Sequence, residues 1–387
     1  MTPSEKYVSE LCEKSFLPFW SFPNPIGKKG KELCDVFVVC GNTIIIISVK
    51  DISVSEHKDV TVQYDRWVKK AIIDSTEQIY GAERFLSNVN EVYSKDKKSK
   101  IKLPKKEFRI IHRIAIAFGS KENFPLPTGD FGKGVIHVFD EKSTFTILRE
   151  LDTITDFTNY LIAKETFVAN KKILIPTESD FLAFYIQTGL ELNYPADTIT
   201  SQSGLWEDYV QSNEYKKWRK EINVSYIWDF MITQLYNIHI SDNTTDERRN
   251  ELEEAIRIIN LESRINRIEL GSILENAIQR KVNARMLKPL PNQNHSYVFM
   301  PLNDKNWEGK ENELELRCIV ARLENPETEK VIGISIGSNS TGESVFDICS
   351  IVIPEMNEDF IKYATEVKNE LGYFKKPVIS NSKKIKD

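Results

Sequence analysis

Three polar side chains that can do chemistry, Asp35, Ser48 and Lys50, lie in a segment that otherwise reads as two apolar β-strands. The dipeptide Gly41-Asn42 between the two runs predicts a two-residue hairpin turn. This turn fixes a register that places Asp35 opposite Ser48, and strand alternation places Lys50 on the same face as Ser48. The three side chains are therefore expected to converge on one face of one hairpin.

The face that carries these side chains is otherwise apolar. Its other members are Phe37, Val39, Ile44 and Ile46. A carboxylate and an ammonium group are costly to remove from water on such a face unless they pair with each other or bind a ligand. The pattern leaves two interpretations open. One is an ordinary cross-strand ion pair at the end of a sheet, and the other is a ligand-binding site that a cleft reaches.

The elements on either side of the hairpin predict how it is held. Thr2, Pro3 and Glu5 form a capping-box pattern that opens a predicted helix. The expected elements are this helix at 2–16, the hairpin strands at 33–40 and 43–50, a long helix at 62–93, strands at 108–118 and 135–139, and a helix at 143–166. Because helices and strands are interspersed, we expect an α/β fold with a mixed sheet flanked by helices.

The order of these elements and of their polar residues resembles the core of the PD-(D/E)XK nuclease superfamily, in particular its Mrr-like and NERD-like branches. That core has a helix with a Glu, a strand with an Asp, a strand that ends in (D/E)-x-K, and a further helix. The lead-in Glu32-Leu33-Cys34-Asp35 fits the same pattern, and 108–118 would be the next core strand. The resemblance implies a restriction-endonuclease-like fold for the N-terminal part of the chain.

The resemblance also implies a role for each matching position. Asp35 and Glu5 would bind a metal ion, Mg²⁺ or Mn²⁺, and Lys50 would be the catalytic lysine that positions the attacking water. Gln78 matches a helical glutamine that many relatives place beside the site. The alternatives are a purely capping role for Glu5 and a packing or solvated role for Gln78.

The sequence departs from the family at Ser48, where the family prefers Asp or Glu. Serine is a neutral and weak ligand, so a metal ion would depend on Asp35, Glu5, a backbone carbonyl and water. Asp51, the next carboxylate along the strand, is expected to point to the opposite face. Ser48 is therefore expected to be a weak ligand or a neighbour of the metal ligands, and the departure puts cleavage itself in question.

Lysines near the predicted site could contact a phosphate backbone. Lys97 and Lys98 lie in a lysine-rich loop at 94–106, and Lys69 and Lys70 lie on the helix that follows the hairpin. These four are predicted nucleic-acid contacts, and a solvated surface is the alternative. Because the net charge of the chain is −5, any nucleic acid must bind through a local patch.

The remainder of the chain carries no catalytic motif. A nuclease-like domain is expected at 1–168, followed at 169–387 by a second domain for recognition or oligomerisation. The segment 337–344 has Walker-A glycine spacing, but Glu343 replaces the essential lysine, so we interpret it as a turn. The second domain is expected to be helical over 179–280 and to contain strands at 297–300, 316–323, 331–336 and 345–353.

Composition argues against several other classes of protein. The five cysteines form no C-x-x-C pair and no zinc-type cluster with histidine. The HExxH and G-x-S-x-G motifs are absent. The apolar runs are too short to span a membrane and no hydrophobic signal region begins the sequence. A cytoplasmic protein without a membrane partner is therefore expected.

These patterns lead to three hypotheses about function. The favoured one is a metal-dependent nuclease that hydrolyses phosphodiester bonds, in DNA rather than RNA, as part of bacterial anti-phage defence. The second is a cleavage-deficient protein of the same fold that serves as a nucleic-acid-binding or interaction subunit. The third is a regulatory protein whose working part is the second half. A homo-oligomer or a defence-system protein is the expected protein partner.

Overall fold

The chain forms two compact units, Met1–Glu269 and a second unit from Leu270 onward. The computed structural model describes residues 1–121, 124–193, 195–241, 243–290, 293–303, 307–339 and 341–374. Helices and strands are interspersed along these residues, which confirms the predicted mixed α/β class. The functional division at 168/169 stays a prediction, and the helices up to Glu269 belong to the same compact unit as the hairpin.

The first unit contains the predicted hairpin and the helices around it. Its elements are α1 (Pro3–Phe16), β1 (Ser21–Pro23), β2 (Val36–Cys40), β3 (Thr43–Asp51), α2 (Val60–Val68), α3 (Asp74–Leu86), β4 (Glu91–Tyr93), β5 (Lys100–Lys102), β6 (Ile110–Phe118), β7 (Gly129–Asp130), β8 (Val135–Phe139), α4 (Glu141–Glu150), α5 (Ile154–Asn170), β9 (Lys172–Leu174), α6 (Glu178–Gln187), β10 (Thr198–Thr200), α7 (Leu205–Gln211), α8 (Asn213–Glu221), α9 (Tyr226–His239) and α10 (Asp246–Leu261). Helix α11 (Arg264–Gln279) crosses the boundary between the two units.

The main sheet of this unit has the strand order β1-β2-β3-β6-β8-β7 in the described residues. Strands β2 and β3 form an antiparallel hairpin in which Cys40 pairs with Thr43 and Val36 with Ile47. This register is the one that the Gly41-Asn42 turn predicts. Strand β3 then pairs in parallel with β6, and β6 in parallel with β8, so the sheet is mixed.

Helices cover both faces of the hairpin. Phe37 and Ile46 point to one face and share a core cluster with Ile79 of α3. Helix α1 contacts β2 and β3, and its stripe of Val8 and Phe16 is fully buried. The predicted capping box begins α1, because Thr2 is the N-cap, Pro3 takes the first turn, and Glu5 closes the cap.

Two predicted helices are each divided in the structure. In place of one helix at 62–93 there is α2, a π-helical turn at Lys69–Ile73, then α3, which ends at Leu86 before strand β4. In place of one helix at 143–166 there are α4 and α5. Thr153 separates them because its side chain accepts a 3.0 Å hydrogen bond from the Asp156 amide and caps α5.

The second unit contains a small sheet in the order β11-β12-β13-β14 with helices packed on it. Its elements after α11 are β11 (Arg285–Met286), β12 (His295–Pro301), α12 (Lys310–Glu324), β13 (Lys330–Ser338), β14 (Ser344–Val352) and α13 (Glu358–Leu371). Helix α12 joins the parallel strands β12 and β13, and Leu314 and Cys318 of this helix pack on Val331 in the core.

The predicted strand at 316–323 is wrong, because these residues lie inside α12. Its buried residues Leu314, Cys318 and Ala321 recur at helical spacing, which the β-branched and apolar run around Cys318 had obscured. The other three predicted strands correspond to β12, β13 and β14. Of the Walker-like segment, Gly337 and Ser338 end β13 and Ser344 begins β14, and a turn in which the Gly342 amide donates to Asn339 O at 3.0 Å joins them; residue 340 lies outside the described residues. None of the helices in the described residues is long and apolar enough to cross a membrane.

Candidate functional site

Asp35 ends the hairpin ladder where β2 begins. It is 4% exposed, its amide donates to Ile47 O at 3.1 Å, and its Oδ2 accepts the Val49 amide at 2.5 Å. Asp35 lies one residue before β2, and its carboxylate, instead of a backbone carbonyl of β2, accepts the hydrogen bond of the Val49 amide. The carboxylate thus extends the hairpin by a side-chain hydrogen bond.

The electrostatic environment of Asp35 disfavours its charged form. Burial raises the pKa of Asp35 from 3.8 to about 6, although the Val49 hydrogen bond and Lys50 both lower it. Glu5 and Glu32 raise the pKa of Asp35 further. Asp35 is therefore a buried carboxylate whose negative charge the surrounding protein compensates only in part, and a cation would supply the remaining compensation.

Ser48, Lys50 and Gln78 meet beside this carboxylate. Gln78 Oε1 accepts hydrogen bonds from Ser48 Oγ at 3.0 Å and from Lys50 Nζ at 3.1 Å. Ser48 is fully buried, and Lys50 and Gln78 are half-buried. Because the acceptor is a neutral amide, this hydrogen bond orients the Lys50 side chain without pairing it with a carboxylate. In the described structure Lys50 interacts electrostatically with Asp35 but forms no direct ion pair with it, so the interpretation as a simple cross-strand pair is wrong.

Helix α3 supplies Gln78 to this cluster. Ser75, Gln78 and Ile79 lie on the face of α3 that packs on β3, and Ser75 Oγ is 3.3 Å from Ser48 Oγ. The π-helical turn lies directly before α3, and such turns are frequent at functional sites. The predicted contacts Lys69 and Lys70 are exposed on this turn.

Glu5 and Asp51, two further carboxylates near the site, have partners of their own. Glu5 Oε2 accepts the Thr2 amide at 2.9 Å, so Glu5 serves in the cap of α1. Its charge nevertheless raises the pKa of Asp35, so the two carboxylates interact. Asp51 accepts a hydrogen bond from Ser4 Oγ of α1, which places it on the face opposite Lys50, as predicted.

The donor set of the site can hold a divalent cation only in a limited way. The described residues contain no group of three or more His, Cys, Asp or Glu side chains arranged to hold a metal ion. The site offers Asp35 and, through its free electron pairs, Glu5. Mg²⁺ is commonly bound by one or two carboxylates together with substrate phosphate and water. The residues present therefore fit an ion that protein and substrate hold jointly.

Two lysine-rich turns lie against each other in this unit. Ile26 forms a β-bridge with Tyr93, which joins the loop after β1 to the β4–β5 hairpin. A Cβ atom at Gly30 would lie 3.7 Å from Lys97 Nζ, so this ammonium group sits directly on the loop. We call five of the exposed lysines of these turns the basic surface: Lys28, Lys29, Lys31, Lys97 and Lys98.

The backbone of the basic surface is unusual for lysine. Lys29 has φ 55° and Lys97 has φ 62°, in the left-handed region that glycine and asparagine occupy more easily. Both lysines therefore hold a backbone conformation that glycine adopts with less strain. Lys97 and Lys98 are among the contacts predicted from the sequence, whereas Lys28, Lys29 and Lys31 are not, although the run Lys28-Lys29-Gly30-Lys31 is a visible signal.

The basic surface and the polar cluster lie at the same end of the sheet. Strand β1 is antiparallel to β2, so the end of β1 at Pro23 lies beside the start of β2 at Val36. The loop that joins them contains Lys28, Lys29 and Lys31 and leads into Asp35. The loop of the basic surface is therefore continuous along the chain with the polar cluster at this end of the sheet.

Comparison of the chain with models of protein families, with curated proteins and with solved structures found no match in any of the three.

Proposed function

We propose that the first unit is a metal-dependent nuclease whose active site is the cluster of Asp35, Lys50 and Gln78. One observation carries the proposal: a buried carboxylate with only partly compensated charge and an oriented lysine ammonium meet at the sheet end that also bears the basic surface. The antiparallel hairpin followed by a parallel strand, with α1 and α3 on its two faces, supports the resemblance to PD-(D/E)XK nucleases.

Each residue has a defined part in this proposal. Asp35 and Glu5 would hold Mg²⁺ or Mn²⁺. When bound, the ion supplies Lewis acidity and lowers the pKa of water. Lys50 donates to the attacking water or to a phosphate oxygen, and Gln78 holds the ammonium group in place. Ser48 Oγ donates to Gln78 Oε1 and so helps to hold the amide group that orients Lys50.

The first test is cleavage by the full chain. Linear DNA, supercoiled DNA and RNA are incubated with the protein in Mg²⁺, in Mn²⁺ and in EDTA. We expect metal-dependent cleavage of DNA in preference to RNA, with a rate at least about 100-fold lower in Lys50→Ala. Lys14→Ala, an exposed lysine of α1, is the matched control. Cleavage that persists in Lys50→Ala or Asp35→Ala would disprove the site.

A second candidate function is nucleic-acid binding without cleavage, and Ser48 favours it. This residue is neutral and fully buried where the family has a carboxylate, and it already donates to Gln78. In this case Ser48→Asp raises the affinity for Mn²⁺ in calorimetry, whereas the uncharged Ser48→Asn does not. DNA binding with no cleavage in any metal supports this candidate, and cleavage by the native protein excludes it.

A further inference from the structure

Two cysteines of the second unit lie side by side although they belong to different elements. Cys318 is on α12 and Cys349 is on β14. Gly333 of β13 is the register partner of Cys349, and a Cβ atom on Gly333 would lie 2.5 Å from Cys318 Sγ. The sulfur of Cys318 therefore occupies the space above Gly333, directly beside the neighbouring residue Cys349.

The two thiols differ in exposure and in acidity. Cys318 is 0% exposed, whereas Cys349 is half-exposed. The closeness of the two thiols lowers the pKa of Cys349 and, together with burial, raises the pKa of Cys318. Cys349 is therefore the thiol that ionises first, and the thiolate is the reactive form of cysteine.

The remaining cysteines are unsuited to the same chemistry. Cys12, Cys34 and Cys40 are buried, and burial raises the pKa of each. Cys349 is thus the one cysteine of the five that combines exposure with a lowered pKa. A reactive exposed thiol next to a second thiol is the arrangement expected of a redox-sensitive pair.

We propose that Cys349 and Cys318 form a peroxide-sensitive dithiol that closes to a disulfide between β14 and α12. The Cys349 thiolate attacks one oxygen of the peroxide, the O–O bond breaks, and a sulfenic acid forms with release of water once the leaving oxygen is protonated. The Cys318 sulfur then attacks the sulfenic sulfur, its proton leaves with the hydroxyl group as a second water, and the S–S bond forms. Two thiols supply the two electrons that reduce hydrogen peroxide to two waters.

The disulfide would fasten the half-exposed strand β14 to the helix that covers the core of the second unit. It would close a loop that contains the whole of β13, which restricts the unfolded chain and raises the melting temperature of this unit. A dithiol reductant would reverse the step. The inference concerns the second unit alone and does not depend on the nuclease proposal.

The test is oxidation of the full native chain with hydrogen peroxide. We expect peptide mass spectrometry to find Cys318 joined to Cys349 with the loss of two hydrogen atoms, two of the five thiols lost from the thiol count, and both restored by dithiothreitol. In Cys318→Ser, oxidation stops at a sulfenic acid on Cys349 that dimedone traps. In Cys349→Ser, all four remaining thiols persist.

A measurement without variants accompanies these. Iodoacetamide added to the reduced native protein is expected to alkylate Cys349 before any other cysteine. Preferential alkylation of another cysteine, a disulfide that maps elsewhere or between chains, or five thiols that survive peroxide would each overturn the proposal. Oxidation of Cys349 to sulfinic acid in the wild type without a bond to Cys318 would overturn it as well.

Discussion

Asp35 shows how a single side chain can hold a strand pair together and still weaken the protein at neutral pH. Its hydrogen bond to the Val49 amide extends the hairpin, but burial raises its pKa to about 6. The folded chain therefore retains a proton that the unfolded chain has lost between pH 4 and pH 6, and stability falls as the pH rises through this window. Above pH 6, the ionised Asp35 carboxylate lowers the free energy of unfolding by the full cost of burying its charge.

We predict that Asp35→Asn stabilises the first unit at pH 7 and abolishes metal-dependent cleavage. The amide oxygen still accepts from Val49 and carries no charge to desolvate, so the free energy of unfolding rises by up to roughly 3 kcal/mol. The gain should shrink to a small fraction near pH 4, because the wild-type carboxyl is then protonated in the folded state and about half protonated in the unfolded state. Urea unfolding at pH 4, 5.5 and 7 measures it, and an unchanged difference across these pH values would contradict the assignment.

Glu5 has two separable roles, because glutamine can replace it in the cap but not as an anionic ligand. Glu5→Gln keeps an acceptor for the Thr2 amide, so we predict a free energy of unfolding within about 0.5 kcal/mol of the wild type. Glu5→Ala removes the acceptor and should cost about 1 kcal/mol. Both variants should need at least roughly 10-fold more Mg²⁺ for half-maximal cleavage. If neither variant changes the Mg²⁺ dependence of cleavage, the only role of Glu5 is in the cap of α1.

At the scale of elements, each of the two turns of the basic surface places a lysine, Lys29 or Lys97, at a position with positive φ. We predict that Lys29→Gly and Lys97→Gly leave the free energy of unfolding unchanged or raise it by up to about 1 kcal/mol, because glycine adopts positive φ without strain. Each should also weaken DNA binding and reduce the slope of log Kd against log salt by about 0.9. Lys14→Gly is unsuitable as a control because it lies in α1, and Lys14→Ala serves instead.

The variant Lys50→Ala tests whether DNA binding and catalysis depend on different residues. Lys50→Ala should keep the salt slope of the wild type, since it removes the reactive cluster and not the basic surface. If Lys50→Ala reduces the slope of log Kd against log salt, or if neither turn variant changes it, the lysines of the two turns do not bind DNA and are only solvated. Fluorescence anisotropy with a labelled duplex in EDTA measures binding without cleavage.

The elements that the sequence predicts well are those with a local signal. The Gly41-Asn42 turn determines the hairpin register, and the Thr2–Glu5 capping box determines where α1 begins. From these two signals the positions of Asp35, Ser48 and Lys50 follow. The contact of Gln78 with Lys50 depends on how α3 packs on β3, and only the general resemblance indicated it.

The wrong or incomplete predictions share a different cause. The run around Cys318 is apolar and β-branched enough for a strand, and packing of α12 over Gly333 decides in favour of a helix. The π-helical turn at Lys69–Ile73 has no composition signal of its own. The approach of Lys97 to Gly30 arises from a long-range β-bridge, so no local pattern could reveal that two lysine-rich turns form one surface.

At the scale of the whole molecule, each unit has its own hydrophobic core. We therefore predict two unfolding transitions in calorimetry, because units with separate cores need not unfold together. Gly333→Ala should lower only the transition of the second unit, by about 1–3 kcal/mol, since the new methyl group meets Cys318 and Leu314. Asp35→Asn should raise only the other transition. A single transition that both variants shift would contradict independent units.

The central position of β3 has a consequence for how the chain reaches its native state. The β2–β3 hairpin closes through a two-residue turn, whereas β3 meets β6 only after the long segment 52–109 has been ordered. Local contacts form sooner than distant ones, so the hairpin is expected to exist for a time with one edge of its isoleucine run, Ile44–Ile47, open. Such an edge invites pairing with other nascent chains. Substitutions that slow the pairing of β6 with β3 should therefore cause aggregation during synthesis before they change the structure of the site.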